Sequence, residues 1–471
     1  MLFKRFIGDR AFYRTLLAVT IPILIQSGIT NFIGLLDNIM VGSLGTEQMS
    51  GVSIVNQLIF VFNLCVFGCL SGAGLFGAQF FGKGDHEGLR HTFRFKLLLS
   101  LLICGAAILL LEFFGEPLIS LYLHEGSETG DLELAMHYAK EYLAVSLFGL
   151  LPYTVTNVYS STLRETGNTL PPMKAGLLGV TVNLLLNSLL IFGLCGFPAL
   201  GVTGAAIATV IARFVECITV ILWTHLHKDR CEFIKGAYRS FVIPTSLMRR
   251  IVLTGAPLLA NETLWAVGQA MLLQCYSLRG IAAVSAMNIS NTLFNTFAVV
   301  YLSIGTAISI LIGHRLGAGE NERAVEEAPR MIAFSGVMGL AVGLFIIAAA
   351  PFFPLLYNTT DEVRAIATGF ILVVGCYAPF NAILNSSYYT LRSGGKTGIT
   401  FFFDCGYVWM VNIPTALLLV TMTDLSPVLV YVLVTGTELF KLALGIFLVK
   451  RGVWLNDITA HKSRRRKRNA E

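Results

Sequence analysis

The sequence predicts an all-α integral membrane protein of twelve transmembrane helices in two pseudo-symmetric six-helix lobes. Three observations lead there. The chain of 471 residues is 55% hydrophobic and only 13% charged, with a mean hydropathy of +0.71, a balance that soluble domains do not show. Apolar runs of spanning length recur twelve times, at 16–42, 49–80, 92–115, 133–160, 172–193, 203–226, 247–277, 281–312, 330–356, 364–390, 397–422 and 427–449. The halves also repeat. An offset of 235 residues pairs Pro22 with Pro257, Gly45 with Gly280 and Asn56 with Asn291, and sets GKGDHE (82–87) on GAGENE (317–322). An offset of 228 sets SSTLRETGNT (160–169) on YYTLRSGGKT (388–397) and pairs Asn157 with Asn385. Six spans per repeat is an even number, so both copies share one orientation and an axis along the membrane normal relates them.

The basic residues give the orientation. Of the 34 Lys and Arg residues, 29 fall at the termini, in the loops after spans 2, 4, 6, 8 and 10 or within the first five residues of the spans those loops enter, while the opposite side holds Arg279 and Arg364. Both termini are therefore expected in the cytoplasm of a cell with this protein in its inner or plasma membrane. The expected organisation is an N-lobe over 1–226, a cytoplasmic linker over 227–246, a C-lobe over 247–451 and a basic tail over 452–471. The interface of two such lobes is where cargo is expected to bind.

In the first span one acid, Asp37, interrupts an apolar run. Gln26, Thr30 and Asp37 fall within roughly 40° of one another on a helix, which gives that helix one polar face. A carboxylate at membrane depth costs about 2.5–3.5 kcal/mol on insertion scales, so it is expected to face a bundle interior or a wet cavity used by protons or cations. The structural alternative is a protonated acid hydrogen-bonded to a neighbouring helix. Gln26, Thr30, Asn157 and Asn385 are candidates to line the cavity.

In the second span, Gly72, Gly74 and Gly77 suggest close helix packing. The GKGDHE and GAGENE turns read as glycine helix stops followed by acids that cap the next helix. LRETGN and LRSGGK read as a basic last turn with glycine stops. Pro22, Pro152, Pro257, Pro379 and Pro414 lie inside spans, where each removes a backbone donor. Arg213 with Glu216 and Glu438 with Lys441 are spaced as i, i+3 pairs.

Other classes lack support in the sequence. The net charge of +6 sits in short loops and in the tail HKSRRRKR (461–468), a topology pattern rather than a nucleic-acid surface. The nine cysteines include no C-x-x-C pair. GGKT (394–397) lacks the first glycine of a phosphate loop, because Thr390 stands there. An enzyme would need a polar catalytic cluster, and none of the eight histidines has a metal-type spacing within a span. The N-terminal apolar run is too long for a signal-peptide core, so it is expected to stay attached.

The two six-helix repeats, the acid in the first span, the G-x-G-[DE] turns, the L-R-x-x-G turns and the N-L-L-L-N of the fifth span resemble the multidrug and toxic compound extrusion (MATE) family over about residues 15–450. NETLWAVG (261–268) and RSGGKTGITFFFDCGYVW (392–409) resemble a bacterial branch of it. The resemblance implies a monomeric antiporter without cofactor that exports bulky, often cationic compounds in exchange for protons or sodium. The alternative is a flippase or exporter of lipid-linked or metabolite cargo on the same superfamily fold. A flippase for diphosphate-linked lipid would line its cavity with several basic residues, whereas only Arg213 and Lys441 lie deep in spans here.

At 1.5 Å per residue, Asp37, Asn187 and Thr209 lie at similar depth, roughly 9–12 Å below the outer surface, with Asn183 one turn below Asn187. In the family, this set surrounds a cation or proton site. Many members carry Asp where this chain has Asn187, so a single carboxylate favours proton exchange over tight sodium binding, although amides and a hydroxyl suit a hard cation. Glu262 in the seventh span and Asp404 in the eleventh are the C-lobe candidates. No metal other than sodium at Asp37 is expected.

Overall fold

A computed structural model describes residues 6–122 and 131–460. Among them all regular structure is helical. The first half contains α1 (Arg10–Gly42), α2 (Thr46–Gly82), α3 (His86–Ser120), α4 (Leu132–Ser146), α5 (Leu150–Glu165), α6 (Leu170–Phe192) and α7 (Gly201–Leu226). The second contains α8 (Thr245–Ser277), α9 (Ile281–Gly317), α10 (Asn321–Ala349), α11 (Asp361–Ser393), α12 (Thr397–Phe401), α13 (Ile413–Met422) and α14 (Pro427–Lys450). The tail motif 461–468 lies outside the described residues.

Among the described residues eleven helical stretches are long and apolar enough to cross a membrane. The twelfth span is the α4–α5 pair, broken by a 3-10 turn at Leu147–Gly149. Pro152 explains the break: it has no amide hydrogen to return to the Phe148 carbonyl, so the helix tightens just before it. Pro414 acts similarly in the eleventh span. Two π-helical stretches, Phe402–Gly406 and Val408–Asn412, join α12 to α13 immediately ahead of it.

The repeat is visible in the helices. α1 and α8 are both 33 residues long with a proline at the same position, and α2 and α9 are both 37. The glycine stops repeat as well: Gly84 and Gly319 have φ of 72° and 77°, Gly167 and Gly395 of 77° and 70°. A left-handed residue ends each helix where only glycine avoids a steric cost.

Contacts group the chain into two compact units. The first unit consists of Ile25–Gly77 and His86–Ile251, and the second of residues 1–24, 78–85 and 252–471. In the first, α6 and α7 pack so closely that a Cβ on Gly204 would lie 2.6 Å from the Leu190 carbonyl oxygen. Small residues permit that approach. In the second, Leu16, Val19 and Ile23 of α1 pack with Ile304, Ile308 and Ile312 of α9, while Phe370 and Ile371 of α11 join Met287 of α9 and Ile346 of α10. The cytoplasmic-turn motifs meet there too. A Cβ on Gly82 would lie 2.1 Å from the His314 carbonyl oxygen, and one on Gly317 1.9 Å from that of Gln79. Gln79 and His314 are themselves related by the 235-residue offset, so this crossing of α2 and α9 is symmetric.

One capping expectation is corrected. Glu320 makes no side-chain cap for α10. Its carboxylate instead accepts from Arg315 at 2.7 Å and from Arg323 at 3.2 Å, because guanidinium donors one turn away on either side compete with the helix amides.

Candidate functional site

Within the first unit, α1 carries Asp37, α6 carries Asn183 and Asn187, and α7 carries Thr209. Asn187 is 1% exposed. Its Nδ2 donates to Asp37 Oδ1 at 2.5 Å and to Asn183 Oδ1 at 3.2 Å. Asn183 Nδ2 in turn donates to Thr209 Oγ1 at 3.2 Å. All four residues thus belong to one network, reached from one helix turn of α6 because residues i and i+4 share a face. The Asn187 amide oxygen is buried and has no partner among the described residues. A buried acceptor beside a carboxylate is an environment that a proton or a hard cation satisfies.

The rest of the polar stripe on α1 is engaged elsewhere. Thr30 Oγ1 donates to the Gln26 carbonyl at 2.9 Å, and Gln26 Oε1 accepts from Arg164 Nη2 at 2.7 Å. Asn157 Nδ2 donates to the carbonyl of Tyr153 on its own helix at 2.9 Å. Asn385, its repeat mate, has a buried Oδ1 without a described partner.

In the second unit, Asp404 lies on the first π-helical stretch and accepts from Lys441 Nζ at 2.7 Å and from Asn261 Nδ2 at 3.1 Å. Asn261 Oδ1 accepts from the Cys405 amide at 3.2 Å, which fixes the π-helical backbone to α8. The neighbouring residue, Glu262, faces Arg392 at 3.9 Å, and that guanidinium lies 6.0 and 5.6 Å from the Tyr388 and Tyr389 ring centres. Among the described residues, Glu262 and Asp404 each have a cationic side chain within 4 Å and Asp37 has none.

Both i, i+3 pairs expected from spacing are replaced. Lys441 turns to Asp404, and Glu438 accepts from Asn412 at 2.9 Å and Tyr377 at 3.1 Å. Arg213 lies over the Tyr153 ring at 5.2 Å. Neighbouring helices offer better partners than a residue one turn away, whose side chain must bend along the helix surface to reach.

Sequence reasoning missed a buried ion pair. Lys96 is fully buried, and its Nζ donates to both Glu165 oxygens at 2.9 and 2.8 Å, to Thr162 at 2.6 Å and to Ser161 at 3.2 Å. Gly74 and Gly77 on α2 make room for the carboxylate: a Cβ on Gly77 would lie 2.1 Å from Glu165 Oε2. The signal was present in the repeat, because Glu165 aligns with Ser393 and Lys96 with Met331. Polar residues present in one copy only mark a local partner. The two L-R arginines do stand in the last turns of their helices, and each turns inward to the first helix of its own repeat, Arg164 to Gln26 and Arg392 to Glu262.

The MatE family model matches residues 22–189 and 257–418, two segments that begin at the repeat-related prolines. The chain is 23% identical over 443 residues to a probable multidrug resistance protein NorM of Thermotoga maritima, covering 94% of this chain and 93% of that one. It is 26% identical over 423 residues to the multidrug resistance protein MdtK of Edwardsiella ictaluri, covering 88% and 89%. Among solved structures it superposes on an outward-facing multidrug resistance MATE transporter of the MOP superfamily with a TM-score of 0.83 at 19% identity, covering 96% of this chain and 97% of the other. A MATE complexed with MaD3S gives 0.84 at 19% identity, with the same coverage. The matched segments take in the first five spans of each repeat, and the chain belongs to the MATE family of multidrug efflux transporters.

Proposed function

We propose that this transporter exports bulky organic compounds, cationic in charge, in exchange for protons or sodium ions by alternating access, and that Asp37 is the group that takes up and releases the driving ion. The observation that carries this reading is the pairing of Asp37 with Asn187, whose buried amide oxygen has no partner among the described residues. A proton on the carboxyl would be held by a rotated Asn187 amide. A sodium ion would find oxygens from Asp37, Asn187, Asn183 and Thr209, the donor type that hard cations take. Asp37 alternates between a state that attracts a cation and one neutralised by it, and cargo leaves when the neutralised state forms.

Glu262 and Asp404 rank behind Asp37 because cationic partners already offset their charge. The same pairing weakens the flippase alternative: Lys441 and Arg392, both buried in spans, face acids of their own unit rather than an anionic cargo. The Lys and Arg bias supports a multi-pass protein of the cell membrane with both termini inward, and a monomer embedded in lipid is part of this reading. The test is flux of a cationic dye from vesicles reconstituted with purified protein under separately imposed proton and sodium gradients. Dye movement driven by either gradient supports the reading. Movement that ignores both gradients overturns it.

A further inference from the structure

The linker between α7 and α8 folds back over the start of α3 within the first unit. Phe233 is 1% exposed and packs against Phe93 with ring centres 5.4 Å apart. Arg94 fixes the next residues by donating from Nε to the Ala237 carbonyl at 2.7 Å and from Nη2 to that of Gly236 at 2.9 Å. Gly236 has φ of 76°, so the chain turns sharply there. Between the linker and α3 lies a cavity of about 770 Å³ lined by Arg90, Arg94, Lys235, Arg239, Ser240 and Glu87, among others.

Four basic groups around one cavity repel each other unless an anion joins them. Glu87, the acid in the lining, lies 3.7 Å from His91. Lys235 is paired with Asp229 at 3.7 Å and Glu232 at 3.9 Å. Arg90 Nε is buried without a hydrogen-bond partner among the described residues, and Arg239 has no carboxylate within 4 Å among them. Arginines lining a space of this size match the tetrahedral oxygens of a phosphate group.

We propose that this cavity binds a phosphate ester, held by Arg90 and Arg239 with Lys235 and Ser240 at its edge. The rim suggests the source. Tyr238, Phe241 and Val242 are 45%, 48% and 75% exposed beside the basic cluster. Exposed apolar side chains next to basic ones are the surface that an anionic phospholipid covers, with its acyl chains on the apolar rim and its headgroup in the cavity.

The test uses full-length protein in detergent, with thermal unfolding followed during titration with phosphatidylglycerol, with phosphatidylcholine, and with glycerol 3-phosphate at constant ionic strength. R90Q/R239Q is compared with the wild type and with K174Q/R249Q, which removes the same charge from exposed positions elsewhere. Stabilisation by phosphatidylglycerol that weakens by about tenfold or more in apparent affinity in R90Q/R239Q, and not in K174Q/R249Q, supports a lipid source. The same pattern with glycerol 3-phosphate supports a soluble source. Equal responses in the two double variants, or no response to either phosphate ester, overturn the site. Unfolding without ligand shows whether R90Q/R239Q still folds, and R90K/R239K, which keeps the charge but not the guanidinium forks, should bind more weakly than wild type and more strongly than R90Q/R239Q.

Discussion

Asn187 donates one amide hydrogen bond to Asp37 and another to Asn183, yet its own carbonyl oxygen is buried with no partner among the described residues. The donor side of the amide is fully used and the acceptor side is not. Leaving a buried acceptor unsatisfied costs about 1–3 kcal/mol, and rotation of the amide would turn that oxygen toward a proton or cation at Asp37. Hydrogen bonds through this amide therefore join Asp37 to α6 and, through Asn183, to Thr209 on α7.

Asp37→Asn preserves volume and hydrogen-bonding capacity but cannot release a proton or carry a charge. The variant should reach the membrane at normal levels and lose gradient-driven dye efflux, with residual flux at the level of protein-free vesicles. Full proton-driven efflux from Asp37→Asn vesicles would move the coupling site to the second unit, with Glu262 the first group to change.

Asn187→Asp adds a second carboxylate in contact with the first. Two carboxylates so close hold a cation more strongly than one, and without a cation they repel each other. Sodium-driven dye efflux should rise relative to proton-driven efflux, read as the ratio of initial rates under the two gradients. An unchanged ratio counts against a shared ion site. Asn183→Ala and Thr209→Ala, which remove more distant members of the network, should each reduce the rate less than Asp37→Asn does.

The buried Lys96 and Glu165 pair is a matter of stability. Removing one partner from a buried ion pair leaves an uncompensated charge and costs about 3–5 kcal/mol. Lys96→Met and Glu165→Gln should each lower the unfolding temperature and the yield of monodisperse protein. The double variant should recover part of the loss, because neither buried charge remains. Additive losses in the double-mutant cycle would mean that the two residues act independently.

The spans, the repeat and the nearness of Asp37, Asn187 and Thr209 were legible because they rest on local signals: apolar run length, glycine stops and 1.5 Å per residue. The network joining Asn183 to Thr209 needed only the further condition that α6 and α7 touch. What stayed hidden is where a long side chain turns. Lys441 chose Asp404 over Glu438, and Arg392 of the last turn faces Glu262 of α8, because partners on neighbouring helices are set by packing rather than by spacing. The break at Leu147–Gly149 and the π-helical stretches before Pro414 were foreshadowed by the prolines, though not their form.

The symmetric crossing of α2 and α9 depends on two glycines. Any side chain at Gly82 or Gly317 would collide with a backbone carbonyl oxygen, which cannot rotate away, at 2.1 and 1.9 Å. A Cβ on Gly105 of α3 would meet nothing within 4 Å, so alanine there gains up to about 1 kcal/mol of helix propensity. Gly82→Ala and Gly317→Ala should each lower the unfolding temperature, and Gly105→Ala should not. Equal tolerance of all three would mean that the crossing opens at little cost.

Gln79 holds the segment that follows α14. It is fully buried. Its Nε2 donates to the carbonyls of Ser393 and Asn456 at 3.0 and 3.1 Å, and its Oε1 accepts from the Ile458 amide at 2.8 Å. Trp454, 1% exposed, donates to the Val449 carbonyl at 2.9 Å and lies so close to the α11–α12 turn that a Cβ on Gly394 would meet its carbonyl oxygen at 1.9 Å. One amide thus satisfies three backbone groups from two separate segments. Gln79→Ala leaves all three without that partner, at about 1–3 kcal/mol for each group that water does not reach. The expected result is a lower unfolding temperature together with new protease cleavage within 451–460, read by mass spectrometry on full-length protein in detergent. Gln79→Glu keeps the acceptor for Ile458 and loses both donors, so it should fall between wild type and Gln79→Ala. Wild-type protection of 451–460 in Gln79→Ala would show that Trp454 and Ile458 hold the segment by packing alone.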